Sequence, residues 1–469
     1  MNEDAHVPES ETFRIVIPRN GNSEVLLFRD GDRYSLPQVT IPKWDRVARC
    51  ITERVADLWS LSALCLFQPE IQNKSQGADQ DKYFVMESRD PHWCPRADLI
   101  WVSRDKICGK FHAFLDADVL QEILEKADCY NAGTLPGPFA RPGWFEELLS
   151  WAQSHLNARG LRLTGEFRQF NGHPFFNLIR LETNGSAVWF KAVGEPNLHE
   201  YTITLALCTG QSQYFPKVIG SRPDWHAWLM QEVHGPTLEE DGGSCAWSNA
   251  ATTLGKMQVE FAGKTDWLLA SGCRDFRIPT VLSKVDPFLY VMNELMQRQP
   301  SETPVPLCRA ELLELGTHLK DACHQLQGLG IPNSLGHCDL NAGNIVLRNG
   351  NRSVFIDCAD VYVGHPFPTF EYLRLACRKH LSQFELYQND LRDAYLKEWE
   401  KLCLPEKIME AFSLSSLLAP LIAALATDRW RRPEAESNQD LAKYLRSLTR
   451  IMQREAKKIN NSGVTCLIS

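Results

Sequence analysis

The stretch GHCDLNAGNIVLRNGNRSVFIDC, residues 336–358, constrains the fold more than any other part of the chain. Ile345, Leu347, Val354 and Ile356 alternate with their neighbours on either side of Asn349-Gly350, the dipeptide of a type I′ turn. That pattern predicts a tight β-hairpin whose return strand brings Asp357 back beside Asn344. A hairpin alone has no use for His337, Asp339, Asn344 and Asp357 gathered about its base. Each by itself reads as a turn cap or a strand end; at this spacing the set reads as chemistry.

His337-Cys338-Asp339-Leu340 followed by Asn344 is H-x-D-L-x-x-x-N, the spacing of a catalytic loop for phosphoryl transfer. An Asp there accepts the proton of an attacking hydroxyl. The carboxamide five residues on and the carboxylate of Asp357 are hard oxygen ligands suited to Mg²⁺. Upstream, Lys191 lies in the strand-like VWFKAV, and Glu200 opens the helical HEYTITLALCTG, where it can pair with that ammonium. The segment GEFRQFNGHPFFNLIR reads as a second hairpin. Its Gly165 and Gly172 stand too far apart for G-x-G-x-x-G, which leaves Asn177 as a phosphate donor or an ordinary turn residue.

A chain of 469 residues exceeds one core. NAGTLPGPFARPGW, residues 131–144, reads as a Gly/Pro linker between residues 1–130 and 145–469. The first part opens with FRIVIP and EVLLF as strands, with Asn20-Gly21-Asn22 between them as a hairpin turn. An amphipathic helix carrying Val47, Ile51, Val55 and Leu58 follows, then strands at ALCLFQPEI, KYFVMES and DLIWVS, the polar loop NKSQGADQDK, and a closing helix at VLQEILEKA. This is a small α+β domain. Its strand-turn-LP-helix order resembles a degenerate Nudix fold: the helix offers only Glu53 and Asp57, without the leading glycine, so an accessory role is expected. The second part is β-rich over about 145–235 and helical over about 236–469.

IPNSLGHCDLNAGNIVL followed by VFIDC resembles the aminoglycoside phosphotransferase family, a branch of the protein-kinase-like fold. E-x-x-x-T-x-x-L with FPKV (200–218) and WLMQEVHGPTL extend the likeness over roughly 145–430. The resemblance implies an α+β, two-lobed protein-kinase-like domain using ATP and Mg²⁺. Asp339 would be the catalytic base, Asn344 and Asp357 the Mg²⁺ ligands, and Lys191, paired with Glu200, the contact to the ATP phosphates. The backbone of Glu232 and Val233 would meet adenine. The acceptor would be a small hydroxylated molecule such as an aminoglycoside, amino-alcohol or sugar. Cys338 stands where the family has glycine, Asn341 where it often has histidine, and Thr369, in GHPFPTF, where it has a second Asp. Either Glu371 or Asp360 would then substitute in bracing the loop, or the loop would be looser and turnover slower. The alternative is a catalytically silent kinase-like nucleotide-binding sensor or scaffold. Trp267, Phe276 and Phe288 are candidates to line an acceptor pocket. Glu239, Glu240 and Asp241 would attract an amine or form a solvated loop.

The net charge of -8 and a pI near 5.9 argue against nucleic acid or a membrane surface as partner. The acidic start has no apolar run of signal-peptide type. LLAPLIAALA, residues 417–426, is too short for a membrane span, contains Pro420 and reads as a core helix. Fifteen cysteines without a C-x-x-C pair, several in apolar runs, point to a reducing, cytoplasmic compartment. Cys466 begins a C-a-a-X ending that chance accounts for.

Overall fold

The computed structural model describes residues 9–31, 33–43, 45–71, 82–108, 117–210, 213–348, 352–431 and 433–461. The Asn349-Gly350 turn, nearly all of the polar loop at 73–82, the first eight residues and the 466–469 ending lie outside the described residues. The chain forms two compact units: Met1–Tyr201 with Lys217–Glu232, and Thr202–Pro216 with Val233–Ser469.

In the first unit, strand Ser10–Val16 pairs antiparallel with Gln38–Pro42 and parallel with Lys82–Ser88, which also holds Ala63–Phe67. A second sheet joins Pro18–Arg19, Glu24–Asp30, Arg33–Ser35 and Leu99–Ser103. The expected hairpin between FRIVIP and EVLLF is therefore split. Only Pro18 and Arg19 pair with Val25 and Glu24, while the longer strand before them belongs to the other sheet. Pro18 has no N–H to continue a ladder. Asn20, Gly21 and Asn22 turn the chain in three successive positive-φ conformations, at 52°, 65° and 65°. Helix Val47–Trp59 buries Ile51 and Val55, and leaves Glu53 and Asp57 on its exposed face.

The same unit contains a five-stranded antiparallel sheet. Its order is Val218–Arg222, Ala227–Gln231, Val188–Ala192, Asn177–Thr183, Leu163–Gly172. The first part has a cluster of its own about Phe13, Ile15 and Ile51, but the segment 131–144 is packed into a second cluster that both parts share. Phe139, Ala140 and Trp144 are buried in one hydrophobic cluster that also takes Val16, Leu64 and Tyr83 from the N-terminal strands and Ile179, Phe190 and Leu229 from the five-stranded sheet. Phe139 meets Trp144, Trp225 and Phe190 edge to face, with centroids 4.9, 5.4 and 6.0 Å apart. Glycine and proline set the path of this segment, but its aromatic residues carry it inward.

Gln169 fastens these two sheets. Its Oε1 accepts the Cys65 N–H at 2.8 Å, and its Nε2 donates to the Cys65 carbonyl at 3.0 Å and to Asn177 Oδ1 at 2.8 Å. It does so where pairing between Ala63–Phe67 and Lys82–Ser88 slips, between Cys65 and Phe67. A side-chain amide supplies the partners that a bulge denies to the backbone. The approach is close: a Cβ on Gly172 would lie 2.9 Å from the Cys65 Cβ.

The second unit is built on helices, among them Ser244–Phe261, Ile278–Gln297, Arg309–Leu329, Phe367–His380, Phe384–Trp399, Ser415–Ala426 and Gln439–Asn461. LLAPLIAALA lies within Ser415–Ala426 and is mostly buried. Among the described residues no single helix is long and apolar enough to cross a membrane. Between the helices stand a three-stranded sheet, in the order Arg274–Phe276, Val361–Gly364, Ser334–His337, and the hairpin Ile345–Arg348 with Arg352–Phe355. Gly336 faces Tyr362 so closely that a Cβ would come within 2.1 Å of its ring, which is why a residue without a side chain precedes His337.

Replacing Gln169 by Leu would leave the Cys65 N–H and carbonyl without partners in a dry interior. At about 1–3 kcal/mol per stranded group, urea unfolding should show the variant destabilised by about 2–6 kcal/mol relative to the parent.

Candidate active site

Ser334–His337 and Val361–Gly364 run antiparallel with His337 opposite Val361. The loop leaving the first strand and the loop entering the second therefore emerge side by side. His337, only 4% exposed, joins them. Its Nδ1 accepts the Asp339 N–H at 3.1 Å, so the proton sits on Nε2, which donates to the Asp357 carbonyl at 2.7 Å. Two backbone bonds run beside it: Cys338 N–H to the Asp360 carbonyl at 2.9 Å, and Ile356 N–H to the Asn344 carbonyl at 3.0 Å. The hairpin thus returns Asp357 to the base of the loop that carries Asp339.

Both carboxylate oxygens of Asp339 are oriented by amides. Asn341 Nδ2 donates to Oδ1 at 3.0 Å, and Asn344 Nδ2 lies 3.4 Å from Oδ2 and 3.2 Å from the Asp339 carbonyl. Asn341 also caps the short 3₁₀ turn Ala342–Asn344, accepting the Asn344 N–H at 3.1 Å. Asp339 itself is exposed, so an ordered carboxylate faces solvent. Asn344 presents its nitrogen to Asp339, and its Oδ1 has no partner among the described residues. Asp357 Oδ1 accepts the Ala359 N–H at 3.0 Å.

Thr369 braces the loop in its own way. Fully buried, its Oγ1 accepts the His337 N–H at 3.0 Å and shares a hydrogen bond with the Tyr362 hydroxyl at 3.0 Å. A neutral hydroxyl therefore holds the donor. The expected stand-ins are occupied elsewhere. The Glu371 carboxylate pairs with Arg374 at 2.8 Å and accepts from Ser415 at 3.2 Å. The Asp360 carboxylate pairs with Arg274 at 3.0 Å, and only its carbonyl supports the loop. Burial, followed by the charge of Asp360, pushes the Cys338 thiol well above its usual range, so it sits beside Asp339 as a neutral thiol.

In the first unit, Lys191 on Val188–Ala192 forms an ion pair with Glu200, which is 2% exposed. The Lys191 ammonium also stands 5.8 Å from the Trp228 ring. Glu232 accepts from Arg180 through both oxygens, at 2.6 and 3.0 Å, and from the Trp189 indole at 3.2 Å. Its backbone N–H donates to the Ala187 carbonyl at 3.2 Å. The Glu232 N–H, expected to meet adenine, is thus already engaged by the Ala187 carbonyl. Asn177 is corrected more sharply. It is 1% exposed, its amide nitrogen donates to the His173 carbonyl at 3.2 Å and its oxygen receives Gln169. It is a core residue of the Gln169 fastening and does not face outward to a phosphate.

Other expectations resolve by burial. Phe276 and Phe288 are core residues, while Trp267 is exposed. Glu240 completes a capping box with Thr237 at the start of helix Leu238–Asp241, accepting the Thr237 N–H at 2.8 Å. What sequence reasoning missed is the set of charges about Asp360. Arg274 reaches both Asp360 and, at 3.3 Å, Asp428. These residues are far apart in the chain and carry no motif, so only the fold reveals them.

Residues 217–412 match the model of the phosphotransferase enzyme family. No curated protein matches by sequence. Among solved structures, the choline kinase LicA from Streptococcus pneumoniae aligns at 15% identity over 67% of this chain and 99% of that one, with a TM-score of 0.42. The choline kinase from Cryptosporidium parvum gives 11% identity, 70% and 95% coverage and 0.46. An ethanolamine kinase of Plasmodium vivax gives 14%, 70%, 93% and 0.43.

Thr369→Val would strand the buried His337 N–H, and differential unfolding should register a loss of about 1–3 kcal/mol that Thr369→Ser restores. His365 gives a pH signature. It is 2% exposed, and burial pushes its pKa down to about 3. The unfolded chain takes up a proton near pH 6.5 that the folded chain refuses until about pH 3, so stability falls as pH drops through that window. Between pH 7.5 and 5.5 the parent should lose about 1.3 kcal/mol more than His365→Asn, read from paired urea titrations.

Proposed function

We propose that this chain, whose residues 217–412 match the phosphotransferase enzyme family, is an ATP- and Mg²⁺-dependent kinase of a small hydroxylated molecule. The observation that supports this most is Asp339. Its carboxylate is exposed, aligned by two amides and tied through one imidazole to the loop that carries Asp357. As the acceptor oxygen bonds to the γ-phosphorus and the bond to the bridging β-oxygen breaks, the hydroxyl proton passes to Asp339. The acceptor leaves as a phosphate monoester and ATP leaves as ADP.

The residues present fit Mg²⁺. Asn344 offers a hard neutral oxygen whose direction is set by its own nitrogen's hydrogen bonds, and Asp357 offers a carboxylate. Among the described residues no cluster of three His, Cys, Asp or Glu side chains forms a cage. A bound Mg²⁺ would keep waters and take its remaining ligands from phosphate oxygens. When bound, the ion supplies charge neutralisation at the phosphates. Lys191, held by Glu200, is the residue we assign to the α- and β-phosphates. The silent-binder reading drew on the thin Nudix-like module and on the missing Asp at Thr369; on the second point, the bond from the His337 N–H to Thr369 supports the kinase reading.

Purified protein given ATP, Mg²⁺ and a panel of small alcohols should release ADP in step with acceptor phosphorylation. Asp339→Asn should lower kcat by about 10²–10⁴ while leaving nucleotide affinity close to the parent's. Turnover that survives this change, or that proceeds unaltered in excess EDTA, would overturn the assignment.

A further inference from the structure

Lys284 lies in the second turn of helix Ile278–Gln297, half-buried, with its ammonium 5.0 Å from the Phe276 ring. Among the described residues it has neither a hydrogen-bond acceptor nor a carboxylate within ion-pair distance. The charges around it explain why no internal partner serves. Asp275 is gripped by Arg277 through both oxygens, at 2.9 and 2.8 Å. Asp428 and Asp360 are both taken by Arg274, at 3.3 and 3.0 Å. Arg431 is near enough to lower the Lys284 pKa further, after the larger effect of burial. With Arg277 and Asp275 cancelling, Arg274, Lys284 and Arg431 stand against Asp360 and Asp428, three cations to two carboxylates. Asp428 and Asp275 act on Lys284 only from beyond ion-pair distance, and each is already held by an arginine, so a half-buried ammonium is left short of a close counter-ion, which is costly unless something outside the chain supplies one.

This cluster sits at the catalytic end of the three-stranded sheet. Arg274 is the first residue of its strand and lies opposite Tyr362, which in turn lies opposite Gly336. Asp360 just precedes one neighbouring strand, and Cys338 and Asp339 just follow the other. The Tyr444 hydroxyl, on a residue 45% exposed, is pushed up by burial and then by the charges of Asp339 and Asp360, which places its ring beside the same loops.

We propose that the acceptor carries an oxyanion, a carboxylate or a phosphate, in addition to its reacting hydroxyl, and that Lys284 receives it. This deepens the kinase reading and rests on it. An acceptor carrying only an ammonium would bring a further cation to a cluster whose two carboxylates are already committed to Arg274. Lys284 is a specificity residue here: it holds the acceptor and takes no part in the proton transfer.

The test uses the full chain, a non-hydrolysable ATP analogue and Mg²⁺, and four acceptors on one skeleton: glycerol, glycerate, glycerol phosphate and aminopropanediol. Calorimetry should show glycerate or glycerol phosphate binding at least about 10-fold more tightly than glycerol, the scale of one charge-assisted contact. The two arms identify which oxyanion the site prefers. Lys284→Gln should erase that preference and Lys284→Arg should keep most of it, with thermal unfolding confirming that both variants are folded. Equal binding of all four, preference for aminopropanediol, or an oxyanion preference that survives Lys284→Gln would each overturn the inference. ADP release, measured separately with ATP, keeps the two readings apart. Oxyanion-selective binding without ADP release on any acceptor would count against the kinase and leave the anion site standing. Release with neutral or cationic acceptors, indifferent to Lys284→Gln, would do the reverse.

Discussion

One imidazole decides the geometry of the site. His337 can accept from Asp339 and donate to Asp357 only in a single neutral tautomer, and both bonds are short enough to hold that tautomer in place. A second histidine proton would turn an acceptor into a donor and set it against the Asp339 N–H. The site therefore depends on one tautomer of a buried ring. The strand pair, the Thr369 hydroxyl and the glycine before it all serve that end. Gly336 lets the Tyr362 ring lie flat against the strand, Tyr362 shares a hydrogen bond with Thr369, and Thr369 receives the His337 N–H.

How much of this was legible in the sequence depended on whether a residue's partner lay nearby in the chain. The hairpin and the Asp339–Asn344 spacing could be read directly, because local alternation and a five-residue offset encode them. Lys191 and Glu200 were also readable, being nine residues apart with a strand ending between them. Asn177 misled because a polar residue beside a turn ordinarily faces water. Here the bulge at Cys65, more than a hundred residues upstream, had drawn Gln169 and then Asn177 inward. The 131–144 segment misled for a related reason. Its glycines and prolines describe how the chain bends, while Phe139 and Trp144 determine where it goes. The replacement of Asp by Thr369 looked like a loss because sequence shows a missing charge and cannot show a donor already satisfied.

The charged cluster about Arg274 illustrates the same limit from the other side. Arg274, Lys284, Asp360, Asp428 and Arg431 are ordinary surface letters in the sequence. Only the alignment of three short strands and the packing of two helices gives them a common neighbourhood. Specificity in this architecture is therefore assembled from residues with no local signature, whereas the proposed chemistry is carried by residues that have one.

The bonds between Gln169 and Cys65 bear on the descent of the molecule. A module that meets its neighbour only through a flexible tether can be gained, lost or exchanged by recombination at that tether. In this chain, excision of the first 130 residues would leave an orphaned glutamine amide and the flank of an aromatic cluster facing water. Recombination within 131–144 would therefore cost this chain part of its shared core.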